Sequence, residues 1–431
     1  MNYEESRVYL DNVAKYGSVL GLDNMGELLG RLGNPQDDLI FIHIGGTNGK
    51  GSVLAYLSTI LKESGYRVGR YISPTLFSYR ERIQINETYI EKDSLARLTT
   101  QIRSCIEEMV KEGRPHPTAF EIETALCFLY FREKKCDLVT LEVGMGGSTD
   151  ATNVIRTPVM EVLAAISMDH MGLLGNTLAE IAKCKAGIIK QDTTVVSMKQ
   201  KPEAMEVVER VCRDKGATLR IADAALAKQV VYGCDSQQFS YGGYDDLEIS
   251  LAGSYQIANA VLAVEAVKGL KELGYKISEA ALRAGLKKTV WRGRFTVLRK
   301  EPCFIIDGAH NRDGAGALAD SIRRYFPDKK LHCIMGVFRD KEYESIVEIT
   351  APFAADVIAV ETPANPRALP AEQLADVWRG YIQDVSYEKN IEKAVKISLQ
   401  KAGKDDVILA FGSLSFLGEI VKALDAARNE V

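Results

Sequence analysis

Short apolar runs alternate with longer stretches of helical hydrophobic spacing through most of the chain. The runs predict buried strands and the stretches predict helices, an alternation that is typical of a parallel sheet covered by helices on both faces. Strands are predicted at residues 41–44, 67–72, 138–143, 159–167, 194–198, 303–307, 331–335, 357–360 and 407–411. Helices are predicted at residues 52–61, 120–132, 254–273, 278–286 and 313–326.

The pattern restarts near residues 287–291. A helical run ends there, and a new strand pattern begins at residues 295–298. We therefore predict an α/β protein with two domains, residues 1–290 and residues 291–431. A cleft between two such domains is a common place for a small-molecule site.

The composition favours a large globular protein. The chain has 431 residues, of which 46% are hydrophobic and 26% charged, enough for two or three cores. Its formal net charge of -4 argues against a general nucleic-acid binder or a protein of anionic membrane surfaces, since both normally carry a basic excess. The first residues show no basic region followed by an apolar run, and no stretch reaches membrane-spanning length. We expect a cytoplasmic protein without nucleic-acid or membrane partners.

A glycine-rich turn at residues 46–52, with the sequence GTNGKGS, follows the first predicted strand and opens a predicted helix. Such a turn lets backbone N–H groups converge on phosphate oxygens at a helix N-terminus, and Lys50 adds a positive charge. The spacing departs from the general P-loop pattern. Ile44 stands where a glycine is expected, and the hydroxyl after Lys50 comes one place late, at Ser52. The turn is therefore either a nucleotide site of a particular kind or simply a tight connection.

Polar residues end several predicted strands. Ligands gather at the carboxyl ends of strands in open α/β sheets, so Glu142 would lie beside the glycine turn and could hold Mg²⁺. Its alternative is a solvent-exposed strand-end glutamate. His170 is either a metal ligand or a polar loop residue, and Ser73 either completes a Mg²⁺ shell or belongs to a plain Ser-Pro turn.

Two further groups of residues carry charge. Lys183 and Lys185 lie at a predicted helix end, where cations suit the helix dipole, and nothing local distinguishes Lys185. In the second predicted domain, a predicted strand leads into the segment DGAHN at residues 307–311. Three polar residues in one strand-to-helix turn indicate a functional site at a cleft rather than a packing role. Arg292 and Arg294 precede it and either bind phosphate or lie as surface charge at a hinge.

Taken in order along the chain, these motifs resemble the folylpolyglutamate synthase and dihydrofolate synthase branch of the Mur ligase family. The turn has that branch's GTNGKGS form, which accounts for its departure from the general P-loop. Matches continue in the family's order over almost the whole chain, at residues 73–74, 79–86, 141–153, 169–170, 185–187, 256–260, 293–295, 307–311 and 365–369.

The resemblance implies a fold and an assignment of sites. Residues 1–290 would form a P-loop-type ATPase domain with a mainly parallel sheet, and residues 291–431 a smaller Rossmann-like α/β domain. Positions for ATP would be Thr47, Asn48, Gly49, Lys50, Gly51, Ser52, Gln256, Asn259, Arg294 and Asp307. Ligands for two Mg²⁺ ions would be Ser73, Glu142, His170 and a carbamylated Lys185.

The same resemblance implies catalytic and substrate residues. Lys50, Lys185 and His310 would be catalytic. The pterin or pteroate site would be lined by Thr118, Ala119, Phe120, Glu121, Thr149, Asp150 and Ala151, with Ser413 approaching the reacting groups from the second domain.

The implied reaction is an ATP-dependent ligation of L-glutamate to the carboxylate of a folate or of dihydropteroate, by an expected monomer. The γ-phosphoryl group passes to the carboxylate, and the amino group of glutamate attacks the resulting acyl phosphate. Three departures from the branch lie in or beside binding loops: Ser148-Thr149 in place of Arg-Leu, Tyr255 in place of His, and Thr75 in place of His. The choice between polyglutamylation of tetrahydrofolate, synthesis of dihydrofolate, or both stays open.

Two other functions are also compatible with these residues. One is a regulator that binds ATP and hydrolyses it slowly without ligating anything. The other is a Mur-type ligase acting on a different carboxylate, such as a cell-wall precursor, although Lys50-Gly51-Ser52 differs from the Lys-Thr-Thr that is common there.

Overall fold

A computed structural model of the protein describes residues 1–13, 21–363 and 365–429. The chain divides into two compact units, Met1–Ala227 with Ala258–Lys288, and Lys228–Ile257 with Thr289–Val431. The domain boundary at residue 290 stays a prediction. In the described part of the chain, no helix is long and apolar enough to span a membrane.

The first unit is built on one mainly parallel sheet. Its strands are β1 (Phe41–Gly45), β2 (Val68–Tyr71), β3 (Ile83–Ile85), β4 (Thr88–Tyr89), β5 (Leu138–Glu142), β6 (Met160–Leu163), β7 (Thr194–Met198) and β8 (Thr218–Ala222). Among the described residues they form an eight-stranded sheet in the order β4-β3-β2-β5-β1-β6-β7-β8. The pairs from β2 to β8 are parallel, and β3 pairs antiparallel with both β2 and β4.

Helices accompany this sheet. Up to residue 288 they are α1 (Tyr3–Val13), α2 (Asp23–Arg31), α3 (Lys50–Glu63), α4 (Lys92–Lys111), α5 (Ala119–Glu133), α6 (Leu178–Ala186), α7 (Pro202–Asp214), α8 (Gln256–Glu272) and α9 (Glu279–Lys288). Every residue of β1 and of β5 is buried, as expected for central strands of a sheet covered on both faces. In α3, all residues from Ser52 to Leu61 are buried, so this helix is held firmly at the centre of the unit.

The second unit contains two sheets within the described residues. Its strands are β9 (Lys228–Val231), β10 (Gln237–Tyr241), β11 (Tyr244–Ile249), β12 (Thr296–Lys300), β13 (Cys303–Asp307), β14 (Leu331–Met335), β15 (Ala354–Val360), β16 (Val385–Glu388) and β17 (Val407–Phe411). The first three form an antiparallel sheet, and the others form a sheet in the order β12-β13-β17-β14-β15-β16 that is parallel except at β12. Its helices are α10 (Arg312–Tyr325), α11 (Tyr343–Thr350), α12 (Ala371–Arg379), α13 (Ile391–Lys401) and α14 (Leu414–Asn429).

The predicted α/β class is confirmed, and the strands predicted at 194–198, 303–307, 331–335 and 407–411 have the predicted bounds. Two boundaries near the glycine turn differ. The strand predicted at 159–167 ends at Leu163, because the chain beyond it turns its backbone groups to the glycine turn. The helix predicted to begin at residue 52 begins at Lys50, directly after Gly49 in a left-handed conformation.

Candidate active site

The glycine turn after β1 is held by the chain that leaves β6. The backbone N–H groups of Thr47 and Asn48 both donate to the carbonyl oxygen of Ala165, at 2.7 and 3.2 Å. The Thr47 hydroxyl donates to the carbonyl oxygen of Ser167 and accepts from the N–H of Ser167, both at 3.1 Å. These bonds fix the path of the turn into α3. The N–H groups in the first turn of a helix make no bond within the helix, and together with the dipole they attract anions.

Two glycines in this turn occupy positions that a larger residue could not. Gly46 has a φ of +136°, and a Cβ there would lie 2.9 Å from the Cβ of Ala164. Gly49 has a φ of +91°, and a Cβ there would lie 2.5 Å from Oδ1 of Asn259 in α8. The structure thus brings Asn259 directly against the turn. Gln256, at the start of the same helix, is fully buried.

Glu142 and Ser73 lie together beside the turn. Glu142 is the last residue of β5 and pairs in register with Ile44 of β1, one residue before β1 ends. Its carboxylate is buried, and Oε2 accepts a hydrogen bond of 3.3 Å from the backbone N–H of Ser73. This proximity was predicted from the sequence. Glu142 ends β5 and Ser73 follows β2, and the carboxyl ends of these two parallel neighbouring strands lie side by side.

Lys185 points from α6 to the same turn. Its ammonium donates to the carbonyl oxygen of Gly46 at 2.9 Å, and the side chain is buried. Burial, together with the positive charge of Lys50, lowers the pKa of Lys185 to about 7. Burial thus favours the uncharged amine over the ammonium form at this position. Lys50 itself donates to the carbonyl oxygen of Thr47 at 3.4 Å.

His170 follows β6 in a left-handed conformation, with a φ of 51°. Its Nε2 lies 3.8 Å from the carboxylate of Asp169, and its side chain is 36% exposed. Among residues 1–13, 21–363 and 365–429, no group of three or more His, Cys, Asp or Glu side chains could hold a metal ion. A metal at this edge would therefore need ligands of other kinds, and the role of His170 stays a prediction.

The loop between β5 and residue 154 lies against both Phe120 and Lys185. A Cβ on Gly144 would lie 2.5 Å from the ring of Phe120, near the start of α5. A Cβ on Gly147 would lie 2.6 and 2.8 Å from the carbonyl oxygens of Cys184 and Lys185. The loop that carries Thr149, Asp150 and Ala151 is thus packed between the start of α5 and the end of α6.

A buried chain of hydrogen bonds fixes this loop from within. The hydroxyl of Thr152 donates to Oδ1 of Asp150 at 2.5 Å, and Oδ2 of Asp150 accepts from the backbone N–H of Met145 at 2.8 Å. Nε2 of His43 in β1 lies 2.9 Å from the Thr152 hydroxyl. Because the single Thr152 proton is given to Asp150, His43 must be the donor to Thr152.

The charges in this chain follow from its burial. Desolvation and the positive charge of Lys190 lower the pKa of His43 to about 3, so the imidazole is neutral. Burial raises the pKa of Asp150, while its donors lower it. Asp150 shapes the loop in this structure, and its contact with a substrate stays a prediction.

The segment at residues 118–121 forms the start of α5. The backbone N–H and hydroxyl of Thr118 both donate to Oε2 of Glu121, and the N–H of Glu121 donates to the Thr118 hydroxyl. This capping box satisfies the helix N-terminus and accounts for both residues locally. Ala119 and Phe120 are half-buried, so part of their apolar surface is exposed.

In the second unit, Asp307 ends β13. Its carboxylate is buried, which raises its pKa, and it accepts bonds from the Tyr255 hydroxyl and from the N–H groups of Phe295 and Ala309. The guanidinium of Arg294 lies over Gly308, where a Cβ would collide with it.

His310 and Ser413 complete the predicted residues of the second unit. Nδ1 of His310 lies 2.8 Å from the carbonyl oxygen of Gly308. Ser413 follows β17, whose last residue pairs with Asp307, and its Oγ accepts from the N–H of Ser415 at the start of α14. Asp307, Arg294 and His310 therefore gather around Gly308, while Ser413 follows the neighbouring strand.

Three residues in these arrangements were not predicted: His43, Thr152 and Tyr255. A histidine within an otherwise apolar strand is the one sequence indication of the buried chain. Tyr255 stood out only as a departure from the family pattern, with no partner that the sequence could name.

Comparison with known proteins assigns the chain to a class. The profile described as the Mur ligase middle domain matches residues 44–267, and the profile described as the Mur ligase, glutamate ligase domain matches residues 293–414. The dihydrofolate synthase/folylpolyglutamate synthase of Bacillus subtilis is 34% identical over 429 residues, which cover 98% of this chain and 99% of that protein.

Two solved structures are similar over their whole length. A folylpolyglutamate synthase of Mycobacterium tuberculosis, complexed with ADP and AMPPCP, has a TM-score of 0.89 at 29% identity and covers 99% of both chains. FolC of Escherichia coli, in complex with DHPP and ADP, has a TM-score of 0.86 at 26% identity and also covers 99% of both chains. The protein is a Mur-type ligase. Within that class, the chain belongs to the folylpolyglutamate synthase and dihydrofolate synthase family.

The buried hydrogen-bond chain predicts a specific cost for Thr152→Val. The substitution keeps the shape but removes the hydroxyl between His43 and Asp150, leaving a buried carboxylate short of a donor. We expect a loss of about 2–3 kcal/mol in the free energy of unfolding, measured by urea titration. Thr99→Val is the control, because Thr99 is equally buried and its hydroxyl donates to the Leu95 carbonyl oxygen within its own helix. Equal losses for the two variants would contradict a special role for the chain.

Proposed function

We infer that the protein is an ATP-dependent ligase that joins L-glutamate to the carboxylate of a folate. The observation that carries this inference is the arrangement in the first unit. The glycine turn at the N-terminus of α3, the buried Glu142 beside Ser73, and the buried Lys185 all lie at the end of β1. Activation of a carboxylate by phosphoryl transfer is favoured by N–H groups that bind anions, by positive charge such as that of Lys50, and by oxygens that bind a metal ion.

We propose that the reaction passes through an acyl phosphate. An oxygen of the acceptor carboxylate attacks the γ-phosphorus of ATP, and the bond between that phosphorus and the β,γ-bridging oxygen breaks, releasing ADP. The amino group of glutamate then attacks the acyl carbon, and phosphate leaves as the amide forms. Lys50, at the start of α3, neutralises charge on the transferring group.

The metal part of the proposal rests on Ser73 and Glu142. Mg²⁺ is usually held by one or two carboxylates together with phosphate oxygens and water, so a single buried carboxylate with a neighbouring hydroxyl residue fits it. Mg²⁺ would supply charge neutralisation for the transferring phosphoryl group. We propose His170 and an oxygen on modified Lys185 as the remaining protein ligands.

We also propose that Lys185 is carbamylated. A lysine reacts with carbon dioxide only as the free amine, whose lone pair forms the N–C bond while a proton leaves to solvent. Burial of Lys185 and the nearby positive charge of Lys50 lower its pKa and so favour that neutral form. The carbamate on Lys185 would place an anionic oxygen at the proposed Mg²⁺ site. Its buried negative charge would need the Mg²⁺ ion as a counter-charge.

For the second unit, we propose nucleotide contacts from Arg294 and Asp307, and contacts to the reacting groups from His310 and Ser413. The gathering of Arg294, Asp307 and His310 around Gly308 supports this proposal. We further propose that the protein is a cytoplasmic monomer with no nucleic-acid or membrane partner.

The acceptor defines the first test. With ATP, Mg²⁺ and L-glutamate, the protein should release ADP and phosphate in the presence of dihydropteroate, mono- or diglutamyl tetrahydrofolate, and mass spectrometry should find the glutamylated product. The panel of acceptors decides between dihydrofolate synthesis, polyglutamylation and both. ATP hydrolysis that is indifferent to glutamate and to every acceptor would indicate a regulator instead, and turnover with another carboxylate alone would indicate a different Mur-type ligase.

Lys50→Ala tests the role of the turn. We expect at least about a hundredfold loss in the rate of ADP formation, because a full positive charge is removed from the transferring phosphoryl group. Lys62→Ala is the control within the same helix, since Lys62 pairs with Glu87 at the far end of α3. An unchanged rate for Lys50→Ala, measured as glutamate-dependent ADP release, would remove Lys50 from the mechanism.

Lys185→Ala tests the carbamate. We expect loss of ligation, with partial recovery on addition of a short-chain carboxylate such as acetate, which can supply the missing anionic oxygen. Lys183→Ala provides the matched control, because Lys183 lies on the same helix but is exposed. Full activity of Lys185→Ala without added carboxylate would show that no carbamate is required.

A further inference from the structure

Asp307 is a buried carboxylate with an unequal set of donors. Oδ2 accepts two hydrogen bonds, from the Tyr255 hydroxyl at 2.6 Å and from the backbone N–H of Phe295 at 2.7 Å. Oδ1 accepts one, from the backbone N–H of Ala309 at 2.8 Å. Each carboxylate oxygen can accept about two hydrogen bonds. Among the described residues, Oδ2 is therefore saturated, and Oδ1 keeps one acceptor position.

The phenol of Tyr255 is fixed by its surroundings. Gly253 has a φ of +99°, and a Cβ there would lie 3.0 Å from the Cβ of Phe295 and 3.1 Å from the Tyr255 ring. The glycine thus lets the Tyr255 ring fold close to the backbone beside Phe295. Next to it, the N–H of Ser254 donates to the Ser321 hydroxyl of α10 at 3.0 Å.

The hydroxyl of Tyr255 provides a side-chain hydrogen-bond donor to the buried carboxylate of Asp307. A buried carboxylate is costly unless its lone pairs are satisfied, and a phenol can donate without adding a positive charge. Unlike the two backbone donors, Tyr255 can be changed by substitution. Together with the Phe295 N–H, the Tyr255 hydroxyl occupies Oδ2, so the acceptor position that remains on Asp307 is on Oδ1.

We propose that Tyr255 is a positioning residue for the nucleotide, because by saturating Oδ2 of Asp307 it leaves Oδ1 to accept a hydrogen bond from a ribose hydroxyl. An acidic residue at the carboxyl end of a strand commonly accepts such a bond in nucleotide-binding α/β folds. The inference rests on the proposed function, because it requires that Asp307 contact the nucleotide. It adds a residue that touches Asp307 and does not itself contact the ligand.

The test is calorimetric titration of the full chain with ADP, which needs neither folate nor glutamate. Tyr255→Phe keeps the ring and removes the hydroxyl, so Oδ2 loses a charge-assisted bond and the carboxylate can rotate. We expect the Kd for ADP to rise about tenfold. Tyr325→Phe is the control, because Tyr325 belongs to the same cluster of rings, 5.2 Å from Phe295, while Asp307 takes no bond from it.

Deoxy nucleotides separate positioning from a general loss of structure. We define the Kd ratio as the Kd of Tyr255→Phe divided by the Kd of the unsubstituted protein, and measure it with 2′-deoxy-ADP and with 3′-deoxy-ADP. For the nucleotide that lacks the hydroxyl bound by Oδ1, this ratio should fall to about one. A tenfold ratio that persists with both deoxy nucleotides would overturn the inference, as would an unchanged Kd for ADP in Tyr255→Phe. Failure of the unsubstituted protein to bind ADP would instead overturn the proposed function along with it.

Discussion

The path of the backbone through the glycine turn is the constraint on which the rest of the first unit's site depends. The N–H groups of Thr47 and Asn48 donate to the Ala165 carbonyl oxygen, and the Gly46 carbonyl oxygen accepts a hydrogen bond from Lys185. The turn is therefore fastened on both sides before it enters α3. Gly46 and Gly49 both have positive φ values, and a Cβ at either position would crowd a neighbouring residue, so the backbone can take this path only with glycine at both. The turn leads directly into the N-terminus of α3, where the first helical N–H groups and the helix dipole favour an anion, and Lys50 adds positive charge there.

Burial of hydrogen-bonded ionisable side chains is a feature that both units share. Burial lowers the pKa of Lys185 and raises the pKa values of Asp150 and Asp307, so all three have their charged forms disfavoured by the same desolvation. Electrostatic interactions are stronger in buried surroundings than in water, which suits the phosphoryl transfer that a carboxylate–amine ligation requires. Exclusion of water would also protect the proposed acyl phosphate from hydrolysis.

Much of this was predictable because the sheet is central and parallel. Strands buried on both faces give continuous apolar runs, and four of those predicted have the observed bounds. The edge strand β4 has two residues, both exposed, and three of the four residues of β9 are exposed, so the apolar pattern of these strands is weak. The polar residues at strand ends could be named because the topology gathers them, as with Glu142 and Ser73. Contacts that join distant segments, such as Tyr255 with Asp307 or His43 with Thr152, carry no local pattern and needed the folded structure.

The central claim is that the glycine turn prepares a phosphoryl group for a carboxylate and not for water. Transfer of oxygen tests it most directly: the acceptor folate is labelled with ¹⁸O in its carboxylate and incubated with ATP, Mg²⁺ and L-glutamate. Through an acyl phosphate, one labelled oxygen leaves the carboxylate with the phosphorus, so the released phosphate should carry one ¹⁸O atom for each amide formed. Phosphate that is free of ¹⁸O while the glutamylated product accumulates would contradict the account.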